Sequence, residues 1–524
     1  MIKKFIDKLL GKTATTGAPL GKRVEIGEAI HRIDPSLVDE RAMKVVQTLS
    51  EAGYEAYIVG GAVRDLLLGL RPKDFDVATT ATPEQVTALF RRAFISGRRF
   101  RIVHVVYGRG RDHEVIEVST FRAVMDADSA EQVDGNEKSF KRGAEVTTTR
   151  VVDAAGRVLR DNVWGPQIED AARRDFTVNA LYYDPQRQVV VDYHGGLTDA
   201  RKKLLRMIGD PATRYREDPV RIIRVVRFAA KLGFEIERKT RTPVREMAGL
   251  LASVPPSRLF DEMFKLLQTG HSLASLAELR KQGLDKGIFP LLDGVLSEAP
   301  ESAEQRRFVE LALADTDRRV GEGKPVAPSF LLACLLWHEV LRGWQRLKSS
   351  GEASHSALQQ AIDAVFDSRV GEISGRGKLG ADMREIWMMQ PRFERRVGNG
   401  PFSLIEQPRF RAGFDFLRLR ADGGECDPRL AEWWEDFSLE DDDARRALVE
   451  ELRGKQQKQR ARTPAPGEPV DSQAQPESDG EPDGSVEDAA VTPERKRRRR
   501  RRKPAAERDA ARGVATSPAD PPLN

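Results

Sequence analysis

Two carboxylates one residue apart, Asp74 and Asp76, are the groups in this chain best placed to do chemistry. Their alternation with Phe75 and Val77 predicts a strand. A period of two puts both carboxylates on one face and both apolar side chains on the other. Adjacent carboxylates repel, and a divalent cation relieves the repulsion. Mg²⁺, or Mn²⁺ in its place, binds one or two carboxylates together with substrate phosphates. Just upstream, the apolar run Tyr57-Ile58-Val59 leads into Gly60-Gly61. Without Cβ atoms, the backbone N–H groups of these glycines can approach a bulky anion. The helix predicted next, carrying Arg64 and Asp65, aims its positive end at the same place. A phosphate cradle beside an acidic pair is the equipment of phosphoryl or nucleotidyl transfer.

These residues need elements to hold them. A helix with Leu37, Ala42, Val45, Val46 and Leu49 on one stripe is predicted after the cap Asp34-Pro35-Ser36, ending at Gly53. Thr82 and Pro83 start another that runs through Phe90. Strands are predicted over Arg101–Tyr107 and His113–Phe121, joined as a hairpin through 108–112. On the second strand Glu117 is either a third carboxylate beside Asp74 and Asp76 or a solvated edge residue. Residues 122–160 are polar and read as a long surface loop. A helix is expected over Ile168–Leu181, a strand over Val189–Asp192, and a turn at His194-Gly195-Gly196. Downstream the pattern is helical. Glu217-Asp218-Pro219-Val220-Arg221 opens a helix whose Arg221, Arg224 and Arg227 form a basic row, with plain capping the rival reading for the acids. Trp337 and His338 read as packing residues.

At 524 residues the chain needs several domains. Hydrophobic residues make up 40% and charged residues 32%, with a net charge of +5, which fits a globular enzyme with polar ends. Two cysteines exclude a disulfide framework and a Cys-rich zinc site, so a reducing cytoplasm is expected. No apolar run spans a bilayer. Residues 2–12 have the pattern of a short basic amphipathic helix with weak affinity for an anionic membrane surface, and a frayed start is the plainer reading. In the interleaved basic and aromatic stretch Ile386–Leu419, Arg395, Arg396, Arg409 and Arg411 are expected to meet RNA, while most of the aromatics are expected in a core. Beyond Arg453 the composition turns polar and ends in the block Arg495–Lys503, which predicts a disordered basic tail.

Four segments together resemble a known family: Gly60-Gly61-Ala62-Val63-Arg64-Asp65, Asp74-Phe75-Asp76, Arg173-Arg174-Asp175-Phe176-Thr177-Val178-Asn179-Ala180 and Glu217-Asp218-Pro219-Val220-Arg221. They match in type and order the class II nucleotidyltransferases of the polymerase-β superfamily, over about residues 31–290. That class holds bacterial poly(A) polymerases and CCA-adding tRNA nucleotidyltransferases. Gly97–Val105, Arg384-Glu385-Ile386-Trp387, Pro408–Ala412, Trp433-Trp434 and the arginine-rich tail resemble the poly(A) polymerase branch.

The resemblance implies an α+β protein: a mixed α/β head over 34–198, a helical neck over 199–290, a helical body over 291–453, a lead-in over 1–33 and a tail over 454–524. It implies template-independent addition of AMP from ATP to RNA 3′ ends, with Mg²⁺ on Asp74 and Asp76. Gly60, Gly61, Arg64, Asp65, Arg174, Asn179 and Arg224 would serve the nucleotide, and Asp218 and Arg221 would read its base. The family assigns Asp175 an active-site role, so Asp175 and Glu117 are both candidates for the third carboxylate. A monomer is the default, and a link to RNA-decay machinery follows by family analogy. CCA addition to tRNA is the rival activity, and an RNA-binding protein with a dead transferase fold is the rival class.

Overall fold

The computed structural model describes residues 20–97, 101–108, 113–124, 131–132, 151–152, 158–160, 163–297, 303–369 and 377–462. The amphipathic segment 2–12, most of the polar loop 122–160 and the basic tail lie outside the described residues.

Alternating apolar residues build one mixed sheet of eight strands. In chain order these are β1 (Val24–Gly27), β2 (Ala56–Val59), β3 (Asp76–Thr79), β4 (Ala93–Ser96), β5 (Ile102–Tyr107), β6 (Glu114–Thr120), β7 (Leu181–Asp184) and β8 (Val189–Asp192). Their spatial order is β1-β8-β7-β2-β3-β6-β5-β4. β3 and β6 run parallel; their other neighbours in the sheet are antiparallel. β1 corrects the reading of 1–33 as a lead-in: it pairs with β8, and Ile26 is buried. Val24-Glu25-Ile26-Gly27 offers a single inward apolar side chain, too weak a pattern to announce a strand.

The two faces of the sheet are covered differently. On the inner face, Ile58, Val77, Val103, Val105, Ile116, Val118, Tyr183 and Val190 pack against α1 (Glu40–Glu51) through Ala42, Val45, Val46 and Leu49. Asp39 caps α1 by accepting from Arg41 N at 2.8 Å, while Asp34 caps only the short 3₁₀ turn before it. The turn at Gly60 leads into α2 (Gly61–Leu67). α3 (Pro83–Leu89) starts with a reciprocal Thr82–Gln85 capping box and adds Val86 to the inner core. On the outer face, Tyr57, Val59, Ala78, Phe121, Tyr182 and Val191 gather under Ala171 and Ile168 of α4 (Gln167–Arg173). These contacts of α4 fall on the β2, β3, β7 and β8 side, and the outer side chains of β5 and β4 are partly or fully exposed.

The helix expected over Ile168–Leu181 is shorter. α4 ends at Arg173, and Arg174 is extended, with ψ 165°. Arg214 Nη2 donates to the carbonyls of Arg173 and Arg174 at 2.6 and 2.7 Å, taking the acceptors that a continuing helix would use. A 3₁₀ turn, Thr177–Asn179, then leads into β7.

The helical part begins with α5 (Gly196–Arg201), α6 (Pro211–Glu217) and α7 (Val220–Leu232), and continues through α8 (Pro256–Leu267), α9 (Pro328–Ser349), α10 (Gly377–Phe393), α11 (Phe410–Asp422) and α12 (Pro428–Leu439). One core runs from Phe176 and Val178 through α7, α8, α9 and α10 to Phe416 and Leu419. A second aromatic core holds Phe393, Phe410, Phe414, Trp433, Trp434 and Phe437, with Trp434 Nε1 donating to Phe393 O at 2.8 Å. Trp337 and His338 are buried, as their pattern implies.

Gly196 locks α5 against the segment carrying Asn179. A Cβ there would stand 2.2 Å from Thr177 O. Gly196→Ala is therefore expected to lower the thermal midpoint, at a cost of about 1–3 kcal/mol. Unchanged denaturant unfolding would show that this contact is not tight.

Candidate active site

The Gly-Gly turn, the acidic pair and the start of α7 open onto one cleft of about 650 Å³. Gly60 adopts φ 74°, a left-handed conformation suited to glycine. A Cβ on Gly60 would lie 3.5 Å from Arg174 Nη1, and one on Gly61 would lie 3.3 Å from Arg64 Nη2. The two glycines thus leave the cleft floor open under two guanidinium groups. Arg64 is only 2% exposed; its Nη1 donates to Asn179 Oδ1 at 2.8 Å and its Nε to Asp65 Oδ1 at 2.8 Å.

Asp74 and Asp76 both line the cleft. The strand is shorter than alternation implies: β3 starts at Asp76, and Asp74 lies in the irregular approach to it, with Phe75 still buried. Glu117 sits directly across from Asp76 in the parallel β3–β6 register. Solvent reaches Asp76 from the cleft, yet dense protein surrounds it. That burial, with Glu117 and Asp74 adding repulsion against Arg174, pushes its carboxyl up to about 6. A crowded, anion-repelled oxygen donor set fits a hard divalent cation such as Mg²⁺ or Mn²⁺. Among the described residues no cluster of three or more His, Cys, Asp or Glu is arranged to hold a metal by itself, so substrate oxygens would have to complete the shell.

Asp175 is held differently. It is 9% exposed, and its carboxylate accepts from Phe176 N at 2.9 Å, Asn179 Nδ2 at 3.3 Å and Arg224 Nε at 2.9 Å. Burial pushes this carboxyl up, but Arg224 and Asn179 outweigh it and hold it near 2. Arg174 reaches the cleft from a similar support. Asp170, on α4, accepts from Arg174 Nη2 at 3.1 Å, Arg173 Nε at 3.1 Å and Tyr182 Oη at 2.8 Å.

At the other end of the cleft, Asp218 caps the C-terminus of α6 and Arg221 lies in the first turn of α7. Arg221 N donates to Asp218 O at 3.0 Å, and each side chain has a further partner. Arg258 Nη2 donates to Asp218 Oδ2 at 2.8 Å, and Arg221 Nη1 donates to Glu217 Oε2 at 2.9 Å and Arg214 O at 3.0 Å. Arg214 also donates to Glu217 Oε2 at 2.9 Å.

Gly60, Gly61, Arg64, Asp65, Asp74, Asp76, Arg174, Asp175, Asn179, Asp218, Arg221 and Arg224 thus share one cleft, and Glu117 stands beside it on β6. The four body arginines do not line it. Arg409 pairs with Asp382 at 2.5 Å, Arg411 pairs with Asp415 at 3.1 Å, and Arg396 lies over the Trp433 ring at 5.8 Å, while Arg395 is exposed. Sequence reasoning missed Asp170, Arg214 and Arg258. Asp170 was legible as the helical i,i+3 and i,i+4 partner of Arg173 and Arg174. Arg258 had no local signal, because its partner lies on another helix.

A mixed sheet with paired carboxylates beside a glycine turn, facing a helical neck that presents Asp218 and Arg221, defines a nucleotidyltransferase. Three family profiles match the chain: "Poly A polymerase head domain" over 56–206, "Probable RNA and SrmB- binding site of polymerase A" over 233–296 and "Polymerase A arginine-rich C-terminus" over 350–466. Poly(A) polymerase I of Haemophilus influenzae is 42% identical over 423 residues, covering 80% of this chain and 89% of that protein. Poly(A) polymerase I of Salmonella typhi is 41% identical over 425 residues, covering 80% and 87%. The CCA-adding enzyme of Lactobacillus helveticus is 36% identical over 232 residues, covering 44% and 51%. The chain belongs to the poly(A) polymerase family.

The raised carboxyl of Asp76 sets a pH dependence. Its folded value, about 6, lies above the ordinary 3.8 of the unfolded chain. The stability it contributes is full below the unfolded value and is lost as pH rises through about 6. In metal-free protein, Asp76→Asn is expected to raise the thermal midpoint near neutral pH, by about 1 kcal/mol after screening by cleft solvent, with the gain gone in mild acid. A lower midpoint for the variant at neutral pH would contradict this charge crowding.

Proposed function

We propose that this cleft transfers AMP from ATP to the 3′-hydroxyl of RNA without a nucleic-acid template and releases pyrophosphate. The observation that carries this reading is the meeting, in one cleft, of the Asp74–Asp76 pair, the Gly60–Gly61 turn and the Asp218–Arg221 junction. The Gly60 N–H is held by Leu181 O at 3.2 Å, so the Gly61 N–H at the start of α2, with Arg64 and Arg174, binds the triphosphate. Asp218 and Arg221 meet the edge of the adenine, each held by a neighbouring side chain, so the protein itself selects the base. Asp74 and Asp76 with Glu117 alongside would hold Mg²⁺ or Mn²⁺, which when bound neutralises triphosphate charge and acidifies the acceptor hydroxyl.

Glu117 is the better third carboxylate. It faces Asp76 across the β3–β6 register, whereas the Asp175 carboxylate is already engaged by Arg224 and Asn179. We assign Asp175 to positioning Arg224 toward the nucleotide. Poly(A) addition is preferred to CCA addition because the poly(A) polymerase relatives align with 80% of the chain, against 44% for the CCA-adding enzyme. An acidic pair that has no ion-pair partner among the described residues argues against a dead transferase. The helical body would hold the RNA through Arg395 and Arg396, with Arg409 and Arg411 reaching it only by leaving their acidic partners. Head, neck and body, divided near 198 and 290, would supply catalysis, base selection and RNA grip. No helix among the described residues is long and apolar enough to cross a membrane. We place the enzyme in the cytoplasm as a monomer whose tailed products feed RNA decay.

Incubation of an unstructured RNA with each nucleotide separately tests the activity. Long tails are expected with ATP alone; limited CTP and ATP incorporation confined to tRNA would replace this reading with CCA addition. Asp74→Ala is expected to lower transfer by about a thousandfold or more while RNA affinity stays within about twofold. Near-normal transfer by that variant would sink the metal assignment. Glu117→Gln should lower kcat with KM for ATP nearly constant, and Asp175→Asn should act mainly on KM for ATP. The reverse pattern would exchange their roles.

A further inference from the structure

Three cross-strand pairings set one row of side chains across the outer face of the sheet. Asp76 stands opposite Glu117, Glu117 opposite His104, and His104 opposite Phe94. Side chains directly opposite each other on neighbouring strands point to the same face. The row therefore runs from the cleft to the edge strand β4, three strand spacings or about 14 Å away. Its outer members are close: Glu117 Oε1 lies 3.6 Å from His104 Nε2, and the His104 and Phe94 rings are 5.1 Å apart. The side chains facing the other way, Ile95, Val103, Val105, Ile116 and Val118, belong to the inner core or pack on it. Among the described residues, core packing accounts for one face of these strands and leaves the other largely uncovered.

That outer face is open among the described residues. Phe94 is 52% exposed on an edge strand, and His104, Ile102, Val106 and Val115 are partly exposed. Beside Phe94 is a surface hollow lined by Arg91, Arg92, Val106 and His113, with both arginines exposed. An exposed aromatic, a second ring beside it and flanking guanidinium groups match the chemistry of single-stranded nucleic acid, which offers bases for stacking and phosphates for charge. The row also has a direction, since its inner end is the acidic pair that would receive an RNA 3′ end. A span of about 14 Å holds a few stacked nucleotides at about 3.4 Å each.

We propose that Phe94 and His104 form a stacking platform for bases a few nucleotides upstream of the RNA 3′ terminus, with Arg91 and Arg92 on the adjoining phosphates. The acceptor strand then enters along the outer sheet face and delivers its 3′-hydroxyl to Asp74 and Asp76 from the side opposite the glycine cradle. This rests on the transferase reading above. It assigns the acceptor to the head sheet and leaves the body arginines to more distant RNA.

The test uses the full chain and short single-stranded RNAs carrying 2-aminopurine at successive positions from the 3′ end. Fluorescence is followed at equilibrium without ATP, and tailing kinetics are measured separately. Wild type is expected to quench the probe at one or two positions near, but not at, the terminus. Phe94→Ala should lose that quenching and raise KM for RNA about tenfold while KM for ATP is unchanged. Phe94→Trp should restore both, and the exposure of Phe94 lets these variants fold, which the thermal midpoint checks. Quenching and KM for RNA unchanged in Phe94→Ala overturn the proposal. An effect of that variant only on self-association or protein capture also overturns it, in favour of strand docking on β4. An equal rise in both KM values marks general damage to the head and counts against it. If wild type quenches in the expected register yet incorporates no nucleotide, the platform stands and the transferase reading falls.

Discussion

The cleft must keep opposite charges from cancelling each other. A transferase of this kind needs acids free to meet a cation and guanidinium groups free to meet phosphate and base, within a few ångströms. Left alone, they would pair. Here four of the cleft arginines are tied to acids other than the central pair: Arg174 to Asp170, Arg224 to Asp175, Arg221 to Glu217 and Arg64 to Asp65. Among the described residues Asp74 and Asp76 have no ion-pair partner. The cost of that freedom is visible at Asp76, where burial and the neighbouring acids oppose ionisation. Nine basic and six acidic side chains line the cleft, so an excess of positive charge surrounds an acidic centre, which suits an incoming triphosphate and its cation.

Arg214 carries this arrangement between head and neck. Its guanidinium holds the carbonyls of Arg173 and Arg174 on one side and the Glu217 carboxylate on the other. Burial, then the nearby Arg221, lowers its pKa to about 10, yet at neutral pH it stays a cation with carbonyl and carboxylate acceptors around it. The segment that carries Arg174 is thereby bolted to the segment that carries Asp218 and Arg221. Because the same bonds end α4, the break after Arg173 and the coupling of head to neck are one feature.

The head was legible in the sequence where its patterns were local. Apolar runs announced β2 and β8, the strand-like segments either side of 108–112 announced β5 and β6, and Thr82-Pro83 announced α3 by capping chemistry. The Gly60 turn and the acidic pair announced the cleft. What failed to show depended on partners far along the chain. β1 is a strand only because β8 offers it an edge. The continuous helix over Ile168–Leu181 was plausible until Arg214, from a later helix, claimed its carbonyls. The body arginines looked equivalent by composition, yet Arg409 and Arg411 have acidic partners at Asp382 and Asp415, and Arg395 stands exposed. The aromatic residues among them were readable as core, since burial of large rings dominates their energetics.

The ambiguity over the third carboxylate shows how structure separates residues that sequence treats alike. Asp175 and Glu117 are both acids next to functional motifs. Asp175 lies within a dense set of donors that satisfies its charge, and a carboxylate so engaged would have to give up Arg224 to take a cation. Glu117 faces a strand neighbour of its own sign and, on its other side, the His104 imidazole at 3.6 Å. A carboxylate placed beside another gains from a shared cation in a way that a satisfied one does not. The β3–β6 pairing is parallel, so its register depends on how the intervening α3, β4 and β5 fold back against the inner core. The position of Glu117 beside Asp76 is therefore a property of the whole head, out of reach of any one motif.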